Sequence, residues 1–288
     1  MIALPAPRAC IIGFPVAQAR SPLIHQFWLN QYGLPGSYER IEVRPGDVAV
    51  TLRRLADAGF AGGNVTVPHK EEAFRACDRT TPRAAALGAV NTWWREDSLL
   101  VGDNTDGIGF VAHLDQNHPG WNAVPRDILL LGAGGAARGL ILPLADARPR
   151  SITVTNRSET RLEELLADIS GLDLDIPIGG LVWDKRMESL PGFDLVINTT
   201  SLGMAGQPPL ELPLGVARAS TLVADIVYVP LETPLLAAAR ARGLGTLDGL
   251  GMLLHQAAPG FERWFGHRPD ISPELRAHIV ADLMKPKG

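Results

Sequence analysis

Short aliphatic and β-branched runs alternate with stretches of helical periodicity along nearly the whole chain. Strands are expected at residues 10–13, 38–43 and 61–67, followed by a pair of short strands at 90–94 and 99–102. Helices fall between them: one opened by Ser21-Pro22 and carrying Leu23, Phe27 and Leu29, others over 46–58, around 71–77 and 83–87, and one from about 106 to 114. His118-Pro119-Gly120 and Pro125 then break the chain near 117–126, and a second series begins. Its strands are expected at 127–131, 151–155, 178–183, 194–198, 221–226 and 244–247, and residues 251–285 are mostly helical. Strands alternating with helices of about 10–15 residues mark βαβ units and a mainly parallel sheet. The pattern predicts two α/β domains with a boundary in the region 105–125.

Composition narrows the class. A chain of 288 residues fits two domains of ordinary size. Its net charge of −4 leaves no electrostatic footprint for nucleic acid or an anionic membrane, and 46% hydrophobic residues supply ample core. Cys10 and Cys77 have neither metal-like nor redox spacing, so no metal is expected and a reducing compartment is. No apolar run approaches the roughly 20 residues of a spanning helix, and residues 1–8 lack the basic-then-apolar order of a leader. These features predict a cytoplasmic protein whose partner is a small molecule rather than nucleic acid or membrane. Lys stands only at 70, 185, 285 and 287, the other basic residues being Arg, which makes Lys70 an exception within the ordered N-terminal part.

The most specific local motif follows the strand at 127–131. Gly132-Ala133-Gly134-Gly135-Ala136-Ala137 leads into a helical stretch and then the strand at 151–155, the strand–turn–helix–strand context of a dinucleotide fingerprint. Glycines allow the tight turn and let the backbone approach a pyrophosphate, which rests on the free N–H groups of the helix N-terminus. An NAD site would place Asp or Glu at the end of the next strand. The chain instead reads Thr155-Asn156-Arg157-Ser158, with Arg161 one turn on. Guanidinium there suits a 2′-phosphate, so NADP(H) is the expected cofactor.

The N-terminal part supplies the chemistry. Asn64-Val65-Thr66-Val67-Pro68-His69-Lys70 ends a strand, on which Asn64 and Thr66 are expected to share a face. Gly88-Ala89-Val90-Asn91-Thr92 adds an amide, and Gly102-Asp103-Asn104-Thr105-Asp106-Gly107 adds a carboxylate. Amides and hydroxyls suit a polyhydroxylated ring, and an ammonium held by a carboxylate can exchange a proton with the hydroxyl being oxidised. A structural Lys–Asp ion pair is the bland alternative, and His69 is read as a turn residue.

These segments, with Ser21-Pro22-Leu23-Ile24-His25, Asn198–Gly203, Asp225–Tyr228 and Asp248–Gln256, make the chain resemble the shikimate dehydrogenase family over nearly its full length. The resemblance implies a substrate-binding catalytic domain over residues 1–106, a Rossmann-like NADP-binding domain over 107–250, and a C-terminal helical segment, 251–288, packing on the substrate domain. It implies Lys70 as acid/base with Asp106 as its partner. Ser21, Asn64, Thr66, Asn91, Tyr228 and Gln256 would bind a cyclic hydroxy acid, with Ser21 and Tyr228 on its carboxylate. Gly132, Ala133, Gly134, Gly135 and Ala136 would carry the pyrophosphate, Asn156, Arg157, Ser158 and Arg161 the ribose phosphate, and Ile226 and Gly249 the nicotinamide end. The implied reaction is reversible hydride transfer between NADPH and 3-dehydroshikimate by a monomer or homodimer.

One position departs from the family pattern. Where the family commonly has Ser-x-Ser-Pro, this chain has Ala19-Arg20-Ser21-Pro22. A hydrogen bond to a charged group contributes about 1.5–3 kcal/mol, roughly 10- to 150-fold in affinity. Gln18 and Arg20 stand nearest to replace the lost donor. The alternatives are therefore a relative acting on quinate or a related ring acid, and a non-catalytic NADP(H)-binding regulatory protein. A pure binder has no need of both Lys70 and Asp106.

Overall fold

The computed structural model describes residues 5–172 and 174–285. In chain order it runs β1 (Arg8–Gly13), α1 (Ser21–Tyr32), β2 (Ser37–Glu42), α2 (Val48–Asp57), β3 (Phe60–Val65), α3 (Lys70–Ala76), β4 (Arg79–Thr80), α4 (Pro82–Leu87), β5 (Thr92–Glu96) and β6 (Leu99–Asp103). Then come α5 (Asp106–Asn117), β7 (Asp127–Leu131), α6 (Gly135–Asp146), β8 (Ser151–Asn156), α7 (Glu159–Ser170), β9 (Ile178–Val182), α8 (Arg186–Ser189), β10 (Leu195–Asn198), β11 (Leu222–Asp225), α9 (Pro234–Ala241) and β12 (Gly245–Leu247). The last elements are α10 (Gly249–Phe265) and α11 (Pro273–Leu283). The chain divides into two compact α/β units, Met1–Thr105 with Leu254–Gly288, and Asp106–Leu253, so the division falls inside α10. Among the described residues no helix is long and apolar enough to cross a membrane.

The first unit holds a six-stranded sheet in the order β2-β1-β3-β5-β6-β4. It is mainly parallel, as expected, with one strand reversed: β5 pairs antiparallel with both β3 and β6. The tight connection at Asp97, with its left-handed backbone (φ 56°), accounts for the β5–β6 pairing by turning the chain straight back. Strand β3 is bounded at Val65, but Thr66 N still donates to the Ile12 carbonyl at 2.9 Å and continues the pairing with β1; Asn64 is buried and Thr66 half-buried.

Both faces of this sheet are covered, as the period-two alternation along β1 requires. Cys10 and Ile12 pack with Val48, Leu52, Val65, Trp93 and Leu100. Ala9 and Ile11 pack on the other side with Tyr38, Trp94, Val101 and Trp264. The C-terminal helix α10 is seated there by aromatic contacts. Phe261 lies edge-on to Trp28 with ring centroids 5.1 Å apart, and Trp264 Nε1 donates to the Trp93 carbonyl at 3.0 Å. Gly62 leaves the room for this: a Cβ there would sit 2.2 Å from both Trp264 Nε1 and Trp93 O.

The second unit holds a six-stranded sheet in the order β12-β11-β10-β7-β8-β9, every pairing parallel. This is the doubly wound order in which ligands bind outside the strand C-termini, at the point where the order reverses, here between β7 and β10. Successive residues of β7 feed opposite cores, Ile128 and Leu130 packing with α6 residues Leu140 and Leu144, Leu129 and Leu131 with Leu235 and Leu236 of α9.

Gly62→Ala is expected to destabilise the first unit by about 1–3 kcal/mol through overpacking against backbone, and to lower Tm by several degrees. Thermal unfolding by circular dichroism checks this; an unchanged Tm would show that Trp264 has room to move.

Candidate active site

In the first unit, strand ends and the returning helix α10 deliver a buried cluster of amides and hydroxyls. Asn64, Asn91, Thr92 and Thr105 are each less than 5% exposed, and Gln256 is 8% exposed, so their hydrogen bonds must be made within the protein or with a ligand. Asn64 comes from β3, Thr92 from β5, and Gln256 from α10. Asn91 follows the left-handed Gly88 that ends α4 (φ 60°).

The connections are short. Asn64 Nδ2 donates to the Asn91 carbonyl at 3.2 Å and to Thr92 Oγ1 at 3.1 Å. Asn91 Oδ1 accepts from Thr92 Oγ1 and from the Thr105 N–H, both at 2.9 Å. Asn91 Nδ2 donates to Gln256 Oε1 at 3.4 Å, and Thr105 Oγ1 donates to the Gln256 carbonyl at 2.9 Å. Asn64, Asn91 and Gln256, expected from the sequence, are therefore brought together.

Two residues not among the expected ones extend the cluster toward Ser21. Tyr38 Oη donates to Asn64 Oδ1 at 2.6 Å and also hydrogen-bonds the buried Ser21 side chain. Burial pushes the Tyr38 phenol well above its ordinary value, so it remains a donor. His25 stacks on the Tyr38 ring with centroids 4.0 Å apart, and complete burial pushes its imidazole down to about 3, leaving it neutral. The signal for both was faint: Tyr38 stands in a strand whose alternate residues are charged, and His25 lies one turn along α1 from Ser21.

Thr66 and Lys70 occupy the segment after β3. Thr66 N donates to the Ile12 carbonyl at 2.9 Å, and Lys70 opens α3, its carbonyl accepting from Val90 N at 2.9 Å, which clasps the helix start to the segment bearing Asn91. His69 is buried with Nε2 2.7 Å from the Val43 carbonyl, an arrangement that holds the turn. At the departure site, Ala19 gives its carbonyl to Arg40 Nη2 at 2.8 Å. Arg20 is already engaged, with Nε 2.8 Å from Asp282 Oδ2 and Nη1 donating to the Gln18 carbonyl at 2.7 Å. The Gln18 side chain is exposed.

In the second unit the chain leaves β7 through Gly132 (φ 114°), where a Cβ would come within 2.8 Å of Thr199 Oγ1. Gly134 and Gly135 then open α6 fully exposed, with nothing within 4 Å of the place a Cβ would take. The turn is held from the side by Asn156 Oδ1, which accepts from Ala133 N at 3.3 Å. Ser158 caps α7 by accepting from Arg161 N at 3.4 Å. Arg157 and Arg161 are exposed and have no ion pair among the described residues, whereas Arg138 is paired with Asp168. An open helix N-terminus, two unpaired guanidinium groups and no carboxylate at the end of β8 fit a dinucleotide carrying a 2′-phosphate. Among the described residues no group of three or more His, Cys, Asp or Glu could hold a metal ion.

Beyond β10 and β11 a second buried network fixes the loops bearing Ile226 and Tyr228. Asp225 is completely buried and accepts from Asn198 Nδ2 and Val227 N, each at 3.0 Å, and from Thr233 Oγ1 at 2.7 Å. Burial pushes this carboxyl up, and the hydrogen bonds oppose that. Gly249, opening α10, lets the backbone pass Ile226: a Cβ would lie 2.1 Å from its carbonyl oxygen. Asp106, Ile226, Tyr228 and Gly249 thus belong to the second unit, and the buried amides to the first.

Comparison with known proteins agrees with this geometry. Residues 11–93 match the shikimate dehydrogenase substrate binding domain, and residues 249–273 the shikimate 5'-dehydrogenase C-terminal domain. The chain is 54% identical over 280 residues to shikimate dehydrogenase (NADP(+)) of Methylobacterium radiotolerans, covering 96% of this chain and 98% of that one. Among solved structures it is similar to shikimate 5-dehydrogenase from Thermus thermophilus in complex with NADP(H) and shikimate, at 33% identity and a TM-score of 0.83, covering 96% and 99% of the two chains. It is also similar to quinate dehydrogenase from Corynebacterium glutamicum in complex with NAD, at 28% identity and a TM-score of 0.88, covering 96% and 100%. The chain belongs to the shikimate dehydrogenase family.

Proposed function

We propose that this protein is a cytoplasmic NADP-dependent shikimate dehydrogenase, a monomer or homodimer, that reduces 3-dehydroshikimate to shikimate and runs reversibly. The observation that carries the reading is the buried Asn64–Asn91–Thr105–Gln256 network, contiguous in chain with the segments bearing Lys70 and Asp106. Amide groups fixed in this way recognise ring hydroxyls, because each has been oriented before the ligand arrives.

NADPH, held on the glycine turn at 132–136, would supply the hydride for the substrate carbonyl carbon. Lys70, as the ammonium, gives a proton to the carbonyl oxygen, so ketone, hydride and proton become the secondary alcohol, and Lys70 takes the proton back in the reverse direction. Asp106 is the carboxylate partner that holds the ammonium. Asn64, Thr66, Asn91 and Gln256 orient the ring through its hydroxyls, and Ser21 and Tyr228 take its carboxylate. Gly132–Ala136 receive the pyrophosphate, Asn156–Arg161 the ribose phosphate, and Ile226 and Gly249 shape the nicotinamide end. A second reading, a related ring acid such as quinate, is favoured by one observation: Ala19 offers a methyl group where the family pattern has a hydroxyl.

Lys70→Ala is expected to lower kcat by about 100-fold or more, the scale of general acid–base catalysis, with a smaller change in KM. Asp106→Asn should lower turnover too, since an amide carries no charge to pair with the ammonium. Near-normal kcat in Lys70→Ala would remove the assignment.

Arg157→Ala should narrow a preference for NADP over NAD of at least about tenfold, or about 1.4 kcal/mol, by weakening NADP alone. Equal weakening of both cofactors in binding titrations would make Arg157 structural.

Ala19→Ser restores a donor to the carboxylate site. It should lower KM for shikimate by up to the roughly 10- to 150-fold range of one charged hydrogen bond. Shikimate remaining poor in the variant, with quinate suffering, would favour the second reading.

A further inference from the structure

The end of β6 carries a densely bonded side chain that the mechanism above does not use. Asp103 ends β6 and is 6% exposed. Its Oδ1 accepts from Thr81 Oγ1 at 2.5 Å, from Arg83 Nε at 2.8 Å and from the Asn104 N–H at 2.7 Å, while Oδ2 pairs with Arg83 Nη2. Arg83 thus grips the carboxylate with two nitrogens, and both Thr81 and Arg83 come from the turn that starts α4.

The bonds on either side of Asp103 give this fork its consequence. The Asp103 carbonyl accepts from Asn91 N at 2.9 Å, and Asn104 Nδ2 donates to the Ala89 carbonyl at 3.2 Å. Thr105 N and Oγ1 bond Asn91 Oδ1 and the Gln256 carbonyl. The next residue is Asp106. An exposed ion pair contributes little to stability, but a bidentate grip on a nearly buried carboxylate fixes direction as well as distance. Direction matters here, because a rotation of Asp103 would carry Asn104 and Thr105 with it and disturb Asn91.

We infer that Arg83 is a positioning residue for the dehydrogenase reaction: by holding Asp103 it sets the 103–106 segment, and through it the amide of Asn91 and the backbone from which Asp106 projects. The inference rests on the proposed dehydrogenase reading. The Arg83 side chain is 37% exposed, so a small cation has access to the space it would vacate.

The test is steady-state kinetics of Arg83→Ala and Arg83→Lys beside the wild type, with shikimate and NADP+, and with methylguanidinium added at millimolar concentration. Arg83→Ala is expected to lose about 10- to 100-fold in kcat, the scale of a small misplacement of a reacting group, with KM for NADP+ unchanged. Methylguanidinium should restore part of that loss, which a merely structural role would not produce. Arg83→Lys, keeping the charge without the fork, should fall between the two. A wild type that turns over and an Arg83→Ala variant that matches it would overturn the assignment alone. So would a loss that methylguanidinium leaves unmoved and that a lower Tm accompanies. If Arg83→Ala does not fold, Arg83→Lys decides: lowered kcat at an unchanged Tm supports the inference, and unchanged kcat overturns it. A wild type without turnover on any ring acid would overturn the dehydrogenase reading, and the inference with it.

Discussion

A buried amide must have its hydrogen bonds made, and Asn91 shows what that costs the rest of the first unit. Leaving one such group unsatisfied costs about 1–3 kcal/mol, a large share of the roughly 5–15 kcal/mol by which a domain is stable. Its oxygen is satisfied by Thr92 and Thr105, and its nitrogen by Gln256, from a helix 165 positions further along the chain. Strand β5, the loop after β6 and helix α10 therefore have to meet at one point. The apolar contacts of Trp264 and Phe261 bring α10 to the sheet, and the amide fixes where along the helix it stops. The same bonds that stabilise the unit also pre-orient the groups proposed to read the ring hydroxyls.

The second unit works under a different constraint. A fully parallel sheet collects its strand C-termini at one edge, and there the chain needs glycine at Gly132 because Thr199 closes on it. Past that point the packing opens: Gly134 and Gly135 face solvent and leave the α6 N–H groups available. At the same edge, Asp225 is buried with no cation and is satisfied by three donors instead, which holds the loop after β11 in place. One edge of one sheet thus presents an open anion-binding turn beside a rigid, fully bonded loop.

The parts of this protein set by local pattern were legible in the sequence, and the parts set by long-range pairing were not. The doubly wound unit follows from β7, the glycine turn and the absence of an acidic residue after β8, all within about 30 residues. Asn64 and Asn91 are legible as amides in the segments 64–70 and 88–92, whereas Gln256 is implied only by the family resemblance. Their mutual bonds are not legible, since nothing local ties position 91 to position 256. The reversal of β5 within the otherwise parallel sheet is not legible in the rule for alternating strands and helices; one tight turn at Asp97 sets its pairing with β6. Tyr38 and Arg83 carry no motif of their own; only their partners, Asn64 and Asp103, give them a role.

NADP-linked oxidation of a ring hydroxy acid is tested most directly by the initial rate of reduced nicotinamide formation by purified protein, with shikimate and quinate each offered beside NADP+ and NAD+. The account predicts the highest kcat/KM for shikimate with NADP+. Turnover confined to NAD+, or no turnover of either acid with either cofactor while NADP+ still binds, would contradict it.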